Sequence, residues 1–194
     1  PWAQPVERLF VDVNDVFVAR YPNAGDDPAV SVIRAVDGTN STVTFNTTDL
    51  NGHDMVGAYA WVRTHSWRRD RVLVESASVD GDLTTLTVSK YCEPGCLSVN
   101  LPKRALSIGA LAGAGVFFEG KLAFLDVPGE WFADGTTLHL LPPTGVDLAS
   151  AIIEATPNTA VIEAVARGAA ADVTHLVVQD LVIERGGGAG VRVV

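Results

Sequence analysis

The most informative segment of the chain is FLDVPGEWFADGTTLHLLPP, residues 124–143. It contains two apolar runs separated by an Asp-Gly pair, and a Pro-Gly pair precedes its single tryptophan, Trp131. Such pairs are typical of tight turns, and apolar runs between turns are typical of β-strands. The stretch therefore predicts a β-hairpin in which Trp131 follows a turn directly. Pro142 and Pro143 end the hairpin, because proline cannot donate to the hydrogen bonds of a sheet.

The chain before this hairpin is rich in β-branched and aromatic residues, with few helix signals. Several runs predict strands: RLFVDVNDVFVARY (8–21, a hairpin about Asn14-Asp15), STVTFNT (41–47), MVGAYAWVRTHSW (55–67), and RVLVESASV (71–79) with LTTLTVSKY (83–91) about Asp80-Gly81-Asp82. Strands joined by such turns are typical of antiparallel sheets. We predict an all-β chain with an antiparallel β-sandwich or jelly roll over about residues 6–120.

The pattern changes after about residue 150, where short β-branched runs alternate with small residues and turn formers. The motif VIEA at 161–164 has a similar LVIE at 181–184, about 20 residues later. Repeats of this period with several short strands suggest the coils of a parallel β-helix. The alternative is a βαβ unit in which TAVIEAVARGA, residues 159–169, forms the helix.

Four segments together resemble secreted right-handed parallel β-helix proteins of the polysaccharide-degrading kind, which include glycoside hydrolases and polysaccharide lyases. The most specific is LAFLDVPGEWFADGTTLHLLPP, where the family's chain passes from an inserted β-sandwich back into the helix. The other three are QPVERLFVDVNDVFVARYPN (Gln4–Asn23), WVRTHSWRRDRV (Trp61–Val72) and ADVTHLVVQDLVIERGGGAGV (Ala171–Val191). They occur in the family's order and cover most of the chain.

The resemblance implies three segments: a β-sandwich module at 1–120, a linking hairpin at 121–145, and the first coils of a right-handed β-helix at 146–194. In this family the catalytic carboxylates project from later coils, and no residue here matches them. The resemblance thus implies a non-catalytic module of a secreted carbohydrate-active protein, with a polysaccharide or glycan as its partner. Whether the parent is an enzyme stays open; if it is, a glycoside hydrolase or polysaccharide lyase is expected.

Composition limits the other classes of partner. The chain has 194 residues, 47% of them hydrophobic, and a net charge of -9. An acidic chain is a poor binder of nucleic acid, whose phosphates need basic residues. No apolar run reaches the roughly 20 residues of a membrane span. The chain starts at Pro1-Trp2 rather than at methionine, so we expect a processed product or a part of a longer protein.

Cysteines and glycosylation sequons point to an extracellular location. Cys92 and Cys96 flank a Glu-Pro-Gly turn, and a disulfide is favoured over free thiols or a metal site, since structural zinc takes four ligands. The sequons begin at Asn40 and Asn46, in a polar stretch. Paired cysteines and sequons together favour a secreted glycoprotein.

A candidate carbohydrate site lies on the strand around residue 61. Alternation places Tyr59, Trp61, Arg63 and His65 on one face of this strand, and Trp67 follows. These aromatic and polar side chains could form a platform on which sugars stack. The alternative, favoured from the sequence, is that Trp61 and Trp67 fill the sandwich core and His65 makes a buried hydrogen bond.

No residue pattern predicts catalysis, a metal or a cofactor. The four histidines are not spaced as ligand pairs on one element. The acidic pairs Asp26-Asp27, Asp80/Asp82 and Glu130/Asp134 all lie at predicted turns, where aspartate bonds to its own backbone. We therefore expect no catalytic residue, no metal site and no cofactor in this chain.

A β-helix of about two coils would leave an apolar end and unpaired strand edges. The final residues, GVRVV, offer little polar cover. We therefore expect residues 150–194 to stack on another chain or on a continuation of this one. A structural or assembly protein of an extracellular polymer or cell surface is accordingly the alternative function.

Overall fold

The computed structural model describes residues 6, 8–12, 14–26, 30–37, 41–65, 68–89, 112–156, 160–164, 177, 179, 182 and 189–193. These residues form strands and two short 3-10 helices, Thr47–Leu50 and Leu122–Phe124, and no α-helix occurs among them. The strands are β1 (Arg8–Val11), β2 (Asn14–Val18), β3 (Arg20–Tyr21), β4 (Ser31–Val32), β5 (Ala35–Asp37), β6 (Thr42–Asn46), β7 (Tyr59–His65), β8 (Arg68–Asp80), β9 (Leu83–Val88), β10 (Gly115–Glu119), β11 (Glu130–Ala133), β12 (Leu138–Leu140), β13 (Ile153–Thr156), β14 (Ala160–Ala164) and β15 (Ala189–Val193).

The contacts of the chain divide it into two units. One unit consists of Pro1–Phe17 with Pro128–Val194, and the other is the continuous segment Val18–Val127. This grouping differs from the three segments expected from the sequence, because β1 and β2 pair with strands that follow residue 128 rather than with the sandwich. The division into a sandwich module, a linking hairpin and helix coils itself stays a prediction.

The unit Val18–Val127 contains one large antiparallel sheet in the order β3-β10-β7-β8-β9-β6-β5, with β4 also paired to β10. Three strands separate β10 from β6, so a flat sheet would place them roughly 19 Å apart. Yet the rings of Phe45 on β6 and Phe118 on β10 meet edge to face, with centroids 5.8 Å apart. The sheet therefore folds over on itself, and these two rings lie in the core between its halves.

The fold of the sheet depends on β8, which is shared by both halves. This strand has 13 residues and a register shift between Val74 and Ser76 where it pairs with β9. Such irregularities bend a strand and increase its twist. The turn between β8 and β9 is the predicted one, because Asp80 pairs with Leu83 and Gly81 has a φ of +57°. The predicted β8–β9 hairpin is confirmed.

The other unit contains a five-stranded sheet in the order β12-β11-β2-β1-β13. Its first hairpin is formed by β1 and β2, as predicted, but Val11 pairs with Asn14. The turn thus includes Asp12 rather than Asn14-Asp15, and Asp12 has a φ of +56°. Aspartate tolerates this left-handed conformation better than most residues. The Asp12 side chain also accepts a hydrogen bond from the backbone N–H of Ile152 at 3.0 Å.

The hairpin of residues 124–143 forms as predicted, with β11 antiparallel to β12 and Trp131 opposite Leu140. Gly129 has a φ of +90°. Its N–H donates to the carbonyl of Leu141 at 2.8 Å, and the N–H of Leu141 donates to the carbonyl of Glu130 at 2.9 Å. Glycine at 129 is required by this positive φ, because other L-residues are strained there. The Trp131 side chain is buried.

The end of the chain contains a parallel strand pair. Strand β14 pairs with β15, with Ala160 opposite Ala189 and Ile162 opposite Val191. Because Ala160–Ala164 is a strand, the alternative of a helix over 159–169 is wrong for this segment. The period also differs from the expected 20 residues, since the paired positions 160 and 189 are 29 residues apart. The similar motifs at 161 and 181 therefore do not mark the positions that pair.

Candidate functional site

Strand β7 presents its two faces to different surroundings. Ala58, Ala60 and Val62 are fully buried in the core, whereas Tyr59 and Trp61 alternate with them and are only half-buried. The interpretation that Trp61 fills the sandwich core is therefore wrong. The physical reason is strand alternation: Ala60 and Val62 face the core, so Trp61 between them points to the other side of the sheet.

Neighbouring strands place further side chains beside Trp61. In the register, Trp61 of β7 lies opposite Phe117 of β10 on one side and Arg71 of β8 on the other. The Trp61 and Phe117 rings stack with centroids 5.9 Å apart and planes 20° apart. The guanidinium of Arg20, on β3, lies over the Phe117 ring at 3.9 Å from its centroid. Aromatic and arginine side chains thus form a continuous row across four strands.

A second contact extends the row toward Tyr59. The Arg71 guanidinium lies over the Tyr59 ring, 3.6 Å from its centroid. Its Nε donates to the Glu119 Oε1 at 2.7 Å, and this pair is only partly exposed. Glu119 therefore holds Arg71 in place over the ring. We call the six residues that share these contacts the aromatic–arginine face: Arg20, Tyr59, Trp61, Arg71, Phe117 and Glu119.

The aromatic–arginine face has an unused hydrogen-bond donor. The Trp61 Nε1 is shielded from solvent and has no hydrogen-bond partner within the part of the chain that the structure describes. Burying a donor without a partner costs roughly 1–3 kcal/mol. The guanidinium groups of Arg20 and Arg71 lie against the rings, so the face combines apolar ring surface with hydrogen-bond donors, the combination that polar, ring-shaped ligands need.

The sequence identified two of the six residues of this face. Arg20, Arg71, Phe117 and Glu119 were missed, because strand order and register bring them beside Trp61 from distant parts of the chain. The alternation in GVFFEG, residues 115–120, was the available signal: it places Phe117 and Glu119 on one side of their strand. Which strand this side would meet could not be read from the alternation.

The remaining predicted platform residues are only partly described. Arg63 lies opposite Arg69 and His65 lies opposite Arg68 in the backbone register of β7 and β8. Trp67 lies outside the described residues. The prediction that these three join Tyr59 and Trp61 in a sugar-binding platform stays a prediction.

The predicted extracellular modifications concern four residues, of which the structure describes one. Asn46 is half-buried at the end of β6, and its Nδ2 donates to the Asp49 Oδ2 at 3.1 Å. The atom that would carry a glycan is thus already used in a hydrogen bond. Asn40, Cys92 and Cys96 lie outside the described residues, and their modification stays a prediction.

A cleft of about 570 Å³ lies on the same unit, lined by residues that include Tyr21, Ser31 and Asp49. The hydroxyls of Tyr21 and Ser31 donate to the Asp49 carbonyl at 3.0 and 3.1 Å. Burial, and then the carboxylates of Asp26 and Asp49, raise the pKa of the Tyr21 hydroxyl. It therefore stays a donor at neutral pH. Both hydroxyls thus hold the Thr47–Leu50 helix in place at this cleft.

The acidic residues that were considered as catalytic pairs lie at turns or, for Glu130, in the core. The Asp134 Oδ1 accepts hydrogen bonds from the N–H groups of Thr136 and Thr137 and from the Thr136 hydroxyl, at 2.8 to 2.9 Å. These bonds lower the pKa of Asp134 to about 2. Asp80 and Asp82 flank Gly81 at an exposed turn, whereas Glu130 is buried. Asp27 lies outside the described residues.

Among the described residues, no helix is long and apolar enough to cross a membrane. Among the same residues, no three His, Cys, Asp or Glu side chains converge in a way that could hold a metal ion. The aromatic–arginine face is thus the best-formed candidate site in the described part of the chain.

Comparison with known proteins gives one informative likeness. No model of a known protein family matches the chain, and no curated protein matches it either. A solved structure of a glycoside hydrolase is similar in fold, with a TM-score of 0.61 and 16% sequence identity. The likeness covers 82% of this chain and 28% of the glycoside hydrolase, so this chain spans less than a third of that protein. At this identity the likeness shows a shared fold alone.

Proposed function

We propose that this chain is a non-catalytic carbohydrate-binding module of a secreted β-helix protein of the glycoside hydrolase or polysaccharide lyase kind. The observation that carries the proposal is the aromatic–arginine face. Apolar ring surface contacts the C–H groups of a sugar, and guanidinium donors bind its oxygens. The catalytic residues of the parent protein would lie outside residues 1–194.

Two further observations support this proposal. The fold is shared with a glycoside hydrolase over most of this chain but over only 28% of that protein, as expected for one module of a longer enzyme. The parallel pairing of β14 with β15 is the type of contact that stacked β-helix coils make. An extracellular location is proposed from the sequons and the cysteine pair, which belong together in oxidising compartments.

Binding to a panel of neutral and acidic polysaccharides, measured by affinity electrophoresis, tests the proposal. The 194-residue chain should be retarded by at least one polymer, and Trp61→Ala should abolish the retardation while circular dichroism shows that the variant is still folded at the assay temperature. Phe17→Ala is the matched control, because Phe17 is a 60% exposed aromatic that lies off the aromatic–arginine face. Equal binding by the Trp61→Ala and wild-type chains would contradict the proposal, as would failure of every polymer.

A second candidate function is assembly through the β-coils into an extracellular polymer. The observation that favours it is a set of exposed apolar side chains in the last third of the chain: Leu148, Ile152, Ile153, Val177, Val182 and Val191. Exposed apolar side chains in one region are typical of an interaction surface. In this proposal they would be covered by another chain or by a continuation of this one.

Sedimentation velocity over a range of concentrations tests assembly. If the coils stack, the wild-type chain should associate, and Val182→Lys, at an 85% exposed position, should shift it toward monomers. Val79→Lys is the control, because Val79 is 66% exposed on β8 and belongs to the unit Val18–Val127 rather than to the unit that contains Val182. A monomer at all concentrations would contradict assembly, and so would an association that both lysine variants weaken equally.

A further inference from the structure

The cleft of about 570 Å³ on the unit Val18–Val127 is lined by none of the residues of the aromatic–arginine face. Its lining combines apolar side chains with charged ones: Pro22, Val30, Val32, Asp26, Asp49 and Arg34. Small-molecule sites have volumes of roughly 300–1,000 Å³ and this kind of mixed lining. The cleft is therefore of the size and character that hold a small polar ligand.

The two carboxylates of the lining have unused acceptor oxygens. The Asp26 Oδ2 accepts a hydrogen bond from the N–H of Asn23 at 2.8 Å, and the Asp49 Oδ2 accepts one from the Asn46 side-chain amide at 3.1 Å. Within the described part of the chain, the Oδ1 of each carboxylate has no hydrogen-bond partner. Both Oδ1 atoms are thus available to a donor on a ligand.

Asp49 is half-buried, yet no cationic side chain of the described residues lies within ion-pair distance of it. A carboxylate that is partly removed from water is stabilised by a positive charge beside it. The charges of Asp26 and Asp49 also act on the cleft wall, because they add to burial in raising the pKa of the Tyr21 hydroxyl. A cation bound in the cleft would therefore be stabilised by both carboxylates.

The one guanidinium of the lining leaves the two carboxylates uncompensated. Arg34 is exposed, and among the described residues it forms no ion pair with Asp26 or Asp49. With two carboxylates and one guanidinium, the lining is net negative. The whole chain has a net charge of -9, which attracts cations and repels anions over longer distances. A ligand with a positive group for the carboxylates and neutral oxygens for Arg34 fits this lining.

We propose that this cleft binds amino sugars with a free ammonium group, which donates to the carboxylates of Asp26 and Asp49. The inference rests on the proposed carbohydrate-binding function, which makes a sugar the carrier of the ammonium group. An ammonium group has three N–H donors and forms charge-assisted hydrogen bonds with carboxylates. The C–H groups of the sugar contact the apolar part of the lining, and its hydroxyl oxygens accept from Arg34.

The test compares three disaccharides that have the same β-1,4 linkage and differ only in the group on C2. These are the glucosamine dimer, with ammonium groups, the N-acetylglucosamine dimer, with acetamides, and cellobiose, with hydroxyls. Calorimetric titration of the 194-residue chain at about pH 6, where amines are protonated, gives the dissociation constants. The glucosamine dimer should bind about tenfold more tightly than the other two, from two charge-assisted contacts, and its affinity should fall as salt rises.

Asp26→Asn and Asp49→Asn should each weaken binding of the glucosamine dimer roughly threefold, the loss of one charge-assisted contact. Both asparagines keep an oxygen that can accept the hydrogen bond from Asn23 or Asn46, so the local structure is retained. Asp147→Asn is the matched control, because Asp147 is exposed in the other unit and likewise accepts a hydrogen bond from a nearby backbone N–H. It removes the same charge and should leave the affinity unchanged.

Equal affinity for the glucosamine dimer and cellobiose would overturn the inference, and retention of the chain by a polysaccharide would still support the proposed function. Equal weakening by Asp147→Asn and the two cleft variants would also overturn it, since only net charge would matter. The diamine 1,4-diaminobutane tests whether the sugar contributes, and binding as tight as that of the glucosamine dimer would overturn recognition of an amino sugar. Failure of every polysaccharide to retain the chain, with the glucosamine dimer still bound, would overturn the proposed module function alone.

Discussion

The Trp131 indole Nε1 donates a hydrogen bond to the backbone carbonyl of Val16 at 3.2 Å. This bond joins β11 to β2, two strands separated by more than a hundred residues of sequence. Next to it, the N–H of Phe17 donates to the carbonyl of Gly129 at 2.9 Å. The tryptophan after the Pro-Gly turn thus fixes the hairpin of residues 124–143 against the first hairpin of the chain.

Replacing Trp131 should destabilise this unit strongly. The side chain is only 4% exposed, so Trp131→Ala leaves a cavity and should cost about 3–5 kcal/mol of unfolding free energy. Trp131→Phe should cost less, because it keeps most of the apolar contact and loses the hydrogen bond, worth about 1 kcal/mol. Denaturant unfolding followed by circular dichroism measures both. Phe17→Ala, at an exposed position, is the control, and an alanine variant of Trp131 as stable as this control would contradict the assigned packing.

The turn of the same hairpin should make stability depend on pH. Hydrogen bonds to Thr136 and Thr137 lower the pKa of Asp134 from 3.8 to about 2. A carboxylate with a lowered folded-state pKa stabilises the fold above its unfolded pKa, and this contribution disappears as the pH falls through the folded value. The stability advantage of wild type over Asp134→Ala should therefore be full above pH 4 and should decline between pH 4 and 2.

Thermal unfolding at several pH values between 2 and 7 measures this difference. Asp82→Ala, at the exposed turn between β8 and β9, serves as the control. A difference between wild type and Asp134→Ala that is constant across this pH range would contradict the lowered pKa.

Lys121 should stabilise the loop before β7 more than its partner aspartate does. Its Nζ donates to the carbonyls of Asp54 and Val56 at 2.6 and 2.9 Å and to the Asp54 Oδ2 at 3.0 Å. Lys121→Met should cost about 1–2 kcal/mol, because two carbonyls lose a charged donor. Asp54→Asn should cost less than Lys121→Met, because this carboxylate is exposed and the carbonyl contacts remain. If urea unfolding showed a larger loss of unfolding free energy for Asp54→Asn than for Lys121→Met, the surface ion pair rather than the carbonyl contacts would stabilise the loop.

Gly120 should matter to the aromatic–arginine face through Tyr59. Gly120 has a φ of +86°, and a Cβ built there would lie 2.9 Å from the Tyr59 Cδ2. Gly120→Ala should therefore destabilise the chain by about 1 kcal/mol from backbone strain and also displace the Tyr59 ring. Gly52→Ala is the control, because its φ of +74° gives similar strain with open space around the Cβ. If the two variants were equal in stability and in glycan binding, the close contact with Tyr59 would have no effect.

The cysteine pair can be tested without reference to the fold. If Cys92 and Cys96 form a disulfide, as the sequence predicts, alkylation of the denatured chain should label neither cysteine until a reductant is added. Mass spectrometry of the peptide that contains both residues measures this. Labelling of both cysteines before reduction, in protein purified from an oxidising compartment, would contradict the disulfide.

Local sequence determined the strands whose ends are marked by turn residues. The Asp80-Gly81-Asp82 turn predicted the β8–β9 hairpin, since Gly81 readily takes the positive φ required there. Pro128-Gly129 likewise predicted the second hairpin, and alternation predicted that Tyr59 and Trp61 share a side of β7. These features depend on neighbours a few residues apart, which is the range over which turn chemistry and side-chain alternation act.

Only the tertiary structure decided which strands meet. The first hairpin pairs with β11 and β13 rather than with the large sheet, and residues 160 and 189 pair rather than residues 161 and 181. It also decided that Trp61 stacks on Phe117 and that Arg71 covers Tyr59. Partner choice and register depend on side-chain packing between segments far apart in the chain, which turns and alternation do not encode. Two residues of the candidate site, Tyr59 and Trp61, could therefore be predicted from the sequence. The other four could be identified only from the folded sheet.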